Sequence, residues 1–234
     1  MSKHANPKRP PRETSPAEQT RAALVHAALK LFGRQGFDGT STRQIAAEAK
    51  ANIGSIAYHF GGKEGLRAAA ADHIVDTIQG IAGQALGGAQ AAAPLDPEAA
   101  RAQLFAALER MVGFIVASPQ AGEIVQFVLR ELSHPTAALD RIYAGVFEPS
   151  HRRMCQIWEQ ATGEPAESEA TKLTVFTMIG QVIYFRIGRE AVMRRMGWRV
   201  IGNEEAAKVV AVTTDNLRAM LAARGPAAGK KGKP

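Results

Sequence analysis

Between Thr40 and Phe60 the chain spells two short helices joined by a turn of roughly three residues, and no other stretch limits the possible folds so tightly. Thr40, Ser41 and Thr42 offer N-caps for a helix through Ala49, because their hydroxyls can accept from the free N–H groups of a first turn. Ile45, Ala46 and Ala49 give that helix a small apolar face, and Asn52 caps a second helix from Ile53 to about Phe60. Longer helices flank the pair. Upstream, Ser15-Pro16-Ala17-Glu18 combines a cap serine, a first-turn proline and a capping-box glutamate. Leu24, Ala28, Leu31 and Phe32 follow at helical spacing, Phe37 folds back onto the core side, and Asp38-Gly39 marks a turn. Downstream, Gly61-Gly62 breaks the chain before Lys63 opens a helix carrying Leu66, Ala70, Ile74, Ile78 and Ile81. Two short helices locked by flanking helices are the layout of a helix-turn-helix.

The remainder also reads as helix. Residues 1–14 form a basic, proline-rich arm without periodicity, read as disordered, and 15–62 form the helix-turn-helix domain. A connecting helix over 63–82 opens a larger helical domain over 63–223, interrupted by an alanine- and glycine-rich junction from Gly83 to Pro94. Asp96-Pro97-Glu98 caps a helix through about Ala117, and a shorter one runs from about Ala121 to Leu132. A long helix after His134-Pro135 ends near Ala161, Ser168 caps an apolar helix through about Ile187, and Asn203 starts the last one, ending near Ala223. Gly188 and Gly197 bracket a short basic segment, and 224–234 form a disordered basic tail. With no alternating pattern of useful length, the expected fold is all-α, about nine or ten helices.

Charge is unevenly placed. Residues 1–67 are net +6, residues 68–223 net −3 and residues 224–234 net +4. A compact basic module suits a polyanion, since each neutralised phosphate releases counterions. The apolar run from Val175 to Phe185 is too short to span a bilayer, and no apolar block follows the basic N-terminus, so a cytoplasmic protein without membrane contact is expected. One cysteine, Cys155, excludes an intramolecular disulfide framework and a cysteine-based zinc site. The histidines are scattered, and no Gly-rich phosphate loop, HExxH or GxSxG occurs; no metal, cofactor or catalytic residue is expected.

The block TSTRQIAAEAKANIGSIAYHFGGKEGL (Thr40–Leu66) resembles the DNA-binding domain of the TetR family of repressors. A recognition helix enters the major groove by its N-terminal residues. Here those are Ile53, Gly54 and Ser55, followed by Ala57 and Tyr58. Gly54 and Ser55 let the backbone come close, Ser55 can hydrogen-bond a base or phosphate, and Ile53 can touch a thymine methyl. Arg43 is the candidate for a bidentate contact to guanine, worth about 1–3 kcal/mol of discrimination. Thr42, Tyr58, His59 and Lys63 read as phosphate anchors, Lys63 standing where the family has a lysine. Two positions depart from the family. Lys50 occupies a turn position usually held by glycine, where a left-handed backbone costs about 1 kcal/mol. Ala57 stands where a second tyrosine is common, which leaves the operator sequence open.

The stretches FVLRELSHPTAALDRIYAGVFEPSHRRM (Phe127–Met154) and GQVIYFRIGREAVMRRMGW (Gly180–Trp198) resemble the C-terminal domain of CecR-like members. The resemblance implies a homodimer built from the last two long helices, bound to a double-stranded, pseudo-palindromic DNA operator, and released by a small, often hydrophobic molecule. Phe105, Tyr143, Phe147, Trp158 and Tyr184, with Arg130 and Gln181 to orient a ligand, are the effector-pocket candidates. Arg130 and Arg186 could instead pair with Glu131, Glu148 or Glu190. Two other functions compete. A helical enzyme lacks any motif for it, and a non-specific DNA-packaging protein would not need the acidic, apolar-rich second domain.

Overall fold

The computed structural model describes residues 15–86 and 95–224; the basic arm, most of the Gly83–Pro94 junction and the tail beyond Arg224 lie outside them. Within those residues the chain is all helix and turn, with no strand. The reading head comprises α1 (Pro16–Gln35), α2 (Thr42–Glu48) and α3 (Gly54–Phe60), and α4 (Lys63–Leu86) leads out of it. There follow α5 (Pro97–Val112), α6 (Pro119–Ser133), α7 (Ala137–Ile142), α8 (Glu148–Thr162), α9 (Glu169–Ile187), α10 (Arg189–Met196) and α11 (Asn203–Ala223). A π turn, Gly113–Ala117, extends α5, and a second, Tyr143–Phe147, joins α7 to α8 without a break. Taking α7 and α8 as one rod gives ten.

Most starts are where local chemistry puts them. Ser15 and Glu18 form the reciprocal capping box, Asp96 accepts from the N–H groups of Glu98 and Ala99, and Ser168 accepts from that of Thr171. α4 runs to Leu86, past the expected 63–82, and the bracketed basic segment is the helix α10, whose C-cap Gly197 is left-handed.

Packing does not follow chain order. One apolar cluster joins α1, Ile45, Ile56 and the first half of α4 to Ile124 and Phe127 of α6 and to Ala138 and Ile142 of α7. The other gathers α5, α8, α9 and α11 around Trp158, Leu104, Leu108, Val175 and Val182. The reading head therefore shares its core with two helices of the larger domain. Between the clusters α5 and α6 meet at 86°. Two arginines fasten this corner through main-chain carbonyls: Arg186 donates to Ile115, Val116 and Ser118, and Arg189 to Val116 and Ile201. Carbonyls at a helix C-terminus carry partial negative charge, which suits a guanidinium.

Candidate nucleic-acid interface

The turn between α2 and α3 is tight because each residue has a local reason to fold there. Ser41 and Gln44 cap α2 reciprocally, and Ile45 (0 % exposed) and Ala46 (4 % exposed) point inward. Lys50 takes a left-handed φ of 52°, and the N–H of Ala51 reaches back to the carbonyl of Ala46 at 2.9 Å. The anticipated strain at Lys50 is therefore present. The Asn52 carboxamide oxygen accepts from the N–H of Gly54 at 2.8 Å, and its carbonyl from that of Ser55 at 3.0 Å. Ile56 anchors α3 to the core, and Gly61 (φ 72°) ends it.

The residues expected to read DNA are unevenly exposed. Ile53 is 49 % and Tyr58 84 % exposed, with Gly54, Ala57 and Arg43 also open, while Thr42, Ser55 and His59 are half-buried. Positions 53, 54, 57 and 58 share one side of a helix at 3.6 residues per turn. His59 lies edge-on to Tyr58. Lys63 is turned toward the protein, its ammonium 4.1 Å from the centre of the Phe37 ring, with the Arg67 guanidinium 4.5 Å from the same ring.

Gly65 is a residue whose role the sequence pattern did not mark. A Cβ there would lie 1.8 Å from the carbonyl oxygen of Phe60, so only glycine lets α4 start this close to the end of α3. Its position two residues after a lysine inside the motif was the available signal.

The head is clasped to the larger domain by two adjacent residues of α6. Arg130 donates to the carbonyls of Gly33 and Arg34 at the end of α1, at 3.4 and 3.0 Å. Glu131, 4 % exposed, pairs with Arg67 of α4 at 2.8 Å and accepts from the Thr136 hydroxyl. Arg130 and Arg186 thus bind carbonyls rather than carboxylates, and Glu148 and Glu190 pair with Arg152 and Arg194 of their own helices.

The effector candidates are dispersed. Phe105 and Trp158 belong to the second cluster, the Trp158 indole N–H donating to Glu164 at 2.8 Å. Phe147 packs against the first cluster, and Tyr143 is 56 % exposed. Arg130 lines a groove of about 350 Å³ between α1 and α6; Gln181 lines one of about 460 Å³ between α9 and α11, beside the exposed Tyr184. Cys155 is buried, and burial raises its thiol pKa, with Glu167 adding to the effect.

An all-helical chain with a short, exposed reading helix set in a basic module is a helix-turn-helix regulator. Residues 24–70 match the bacterial regulatory proteins of the tetR family, and residues 100–224 match the C-terminal domain of the HTH-type transcriptional dual regulator CecR. The CecR protein of Shigella flexneri is 30 % identical over 214 residues, 90 % of this chain and 95 % of that one. The transcriptional repressor NicS of Pseudomonas putida is 41 % identical over 58 residues, 25 % of this chain and 27 % of that one. Among solved structures, AibR in complex with isovaleryl coenzyme A and operator DNA aligns with a TM-score of 0.60 at 17 % identity, covering 82 % of this chain and 97 % of that one. This chain belongs to the TetR family of transcriptional regulators, in the group with a CecR-type C-terminal domain.

Proposed function

We propose that the protein is a dimeric cytoplasmic repressor, not an enzyme, that holds a pseudo-palindromic operator and leaves it when a small apolar effector binds the larger domain. The observation that carries the reading is the front of α3. Its small residues let the main chain approach base edges, and Ile53 and Tyr58 project beyond it. Ile53, Gly54, Ser55 and Ala57 then face bases, Arg43 reaches a guanine, Thr42, Tyr58 and His59 hold phosphates, and Lys63 joins them by swinging off the Phe37 ring. Two copies joined through α9 and α11 would set their α3 helices about 34 Å apart, one turn of DNA.

The clasp on α6 supports the effector half. Arg130 grips α1 and Glu131 grips α4, so a ligand that tilts α6 turns the head as well. AibR, a structural neighbour, was solved with both a coenzyme A ester and operator DNA, which supports a fold able to couple two such sites. Release of the operator follows if the effector binds the tilted state more tightly than the DNA-bound one.

Footprinting the full-length protein on the DNA upstream of its own gene tests this reading. A two-fold-symmetric protected site is expected, with at least about a thousandfold preference over random DNA. Uniform coating without a preferred site would mean a packaging protein instead.

A further inference from the structure

Gly180 stands at the middle of an exposed apolar stripe on α9. At about 100° per residue, Glu169, Leu173, Phe176, Tyr184 and Ile187 all fall within about 40° of it. Leu173 is 56 %, Phe176 60 %, Tyr184 54 % and Ile187 52 % exposed, whereas Thr171, Val175, Met178 and Val182 on the opposite side are buried. No charged residue occurs from Leu173 to Phe185. The stripe is self-complementary about its centre. Leu173 and Ile187 lie equally far before and after Gly180, and so do Phe176 and Tyr184, with opposite angular offsets. Such a face maps onto itself under a two-fold axis passing through Gly180.

We propose that α9 packs against α9 of a second copy in antiparallel register, with the two-fold axis at Gly180. Phe176 then meets the partner's Tyr184, and Leu173 meets the partner's Ile187. This rests on the dimer reading above and adds which residues touch.

Three further observations support it. A Cβ at Gly180 would meet nothing within 4 Å, so no contact within the chain requires a glycine there. Glycine inside a helix is less stable there than alanine, and a close approach from outside the chain is what would offset that cost. The ends of the face also differ in charge: Glu169 lies at its start, and α10 beyond its end carries exposed Arg195 beside Arg194, which pairs with Glu190. Antiparallel pairing sets unlike ends together and aligns the helix dipoles favourably, whereas parallel pairing would stack Glu169 on its own copy. Finally, the groove of about 460 Å³ beside Gly180, lined by Thr177, Gln181, Asn216, Ala219 and Met220, leaves room for an aromatic side chain from the partner.

Cysteine cross-linking of the full-length protein tests the register, with native mass spectrometry reporting the oligomer. The buried Cys155 of the unaltered protein is the unreactive control. Under mild oxidation, Gly180→Cys, the double variant Phe176→Cys/Tyr184→Cys and the double variant Leu173→Cys/Ile187→Cys should each give disulfide-linked dimers. Phe176→Cys or Tyr184→Cys alone should give about a tenth as much or less, because its own copy lies beyond the 4.4–6.8 Å Cα separation a disulfide needs. Gly180→Leu should raise the dimer dissociation constant on the order of tenfold or more while leaving helix content unchanged, because the leucine meets only the partner. A dimer in which Gly180→Cys fails to link, or in which either single variant links as well as the pair, overturns the register and leaves the dimer intact. A monomer at every concentration overturns the dimer reading and the register with it.

Discussion

Of the helices that leave large apolar side chains in water, α3 and α9 do so in different surroundings. α3 exposes Ile53 and Tyr58 among Gly54, Ser55 and Ala57, close in sequence to Arg43 and Lys63 and inside a segment of net charge +6. α9 exposes four such side chains along roughly 21 Å, and the one charged residue between them, Arg186, turns its guanidinium inward to the carbonyls of Ile115, Val116 and Ser118. Isolated apolar groups amid small residues and cations suit a polyanion whose bases carry methyl groups. An uninterrupted stripe suits another hydrocarbon surface. Exposure alone does not separate the two cases; the company of the exposed group does.

The largest effect should come from the clasp that keeps these faces in fixed relation. Arg67→Met leaves Glu131 buried beside a lone hydroxyl and should lower unfolding stability by about 3–5 kcal/mol in a urea titration. Adding Glu131→Leu should restore most of the loss; if it does not, packing rather than charge holds the clasp. Next, Phe176→Asp should weaken dimerisation by about 2–4 kcal/mol in sedimentation equilibrium, through a charge in the middle of the stripe. Arg43→Ala should cost about 1–3 kcal/mol of operator discrimination in an anisotropy titration while leaving the oligomer unchanged. If Arg43→Ala altered assembly, or Phe176→Asp altered base preference in the residual dimer, the contrast between the faces would dissolve.

Smaller effects lie inside the head. Lys50→Gly relieves a left-handed backbone and should raise stability by about 1 kcal/mol by thermal melting. His73 of α4 lies 4.7 Å from His26 of α1, ring centre to ring centre, and its Nε2 is buried without a partner. Burial, and then His26, holds its pKa below the ordinary 6.5, against an opposing pull from Asp76. The unfolded chain therefore takes up that proton more readily. Stability is full above pH 6.5 and declines as pH falls below it, until the folded value is passed. His73→Phe should flatten that part of the urea-midpoint profile.

What was legible in the sequence was what neighbours in the chain decide. Ser15, Ser41, Asp96 and Ser168 announced four helix starts because a cap and the N–H it accepts lie within three residues of each other. That α9 is apolar was visible, but composition does not say which side another helix covers. Arg130 and Arg186 read as partners for carboxylates or a ligand; both reach carbonyls on helices distant in the chain, and no local pattern announces such an acceptor. The π turn at Tyr143–Phe147 was equally hidden. Val75 of α4 packs against it and leaves no room for a Cβ at Gly145, while Gln79 donates to the Gly145 carbonyl at 2.9 Å.

That turn gives the α7–α8 rod an unequal tolerance to changes in length. A π turn holds one residue beyond what regular i→i−4 bonding uses. Removing the solvent-facing Ala144 would let the rod close into ordinary helix with Trp158 and Cys155 still aimed at their cluster. Removing one residue from the middle of α8 instead would swing everything on one side of the cut by about 100° and drag the Trp158 indole into solvent. The same loss of one residue is thus absorbed in one place and ruinous a few turns later, and insertions and deletions between homologues should gather accordingly.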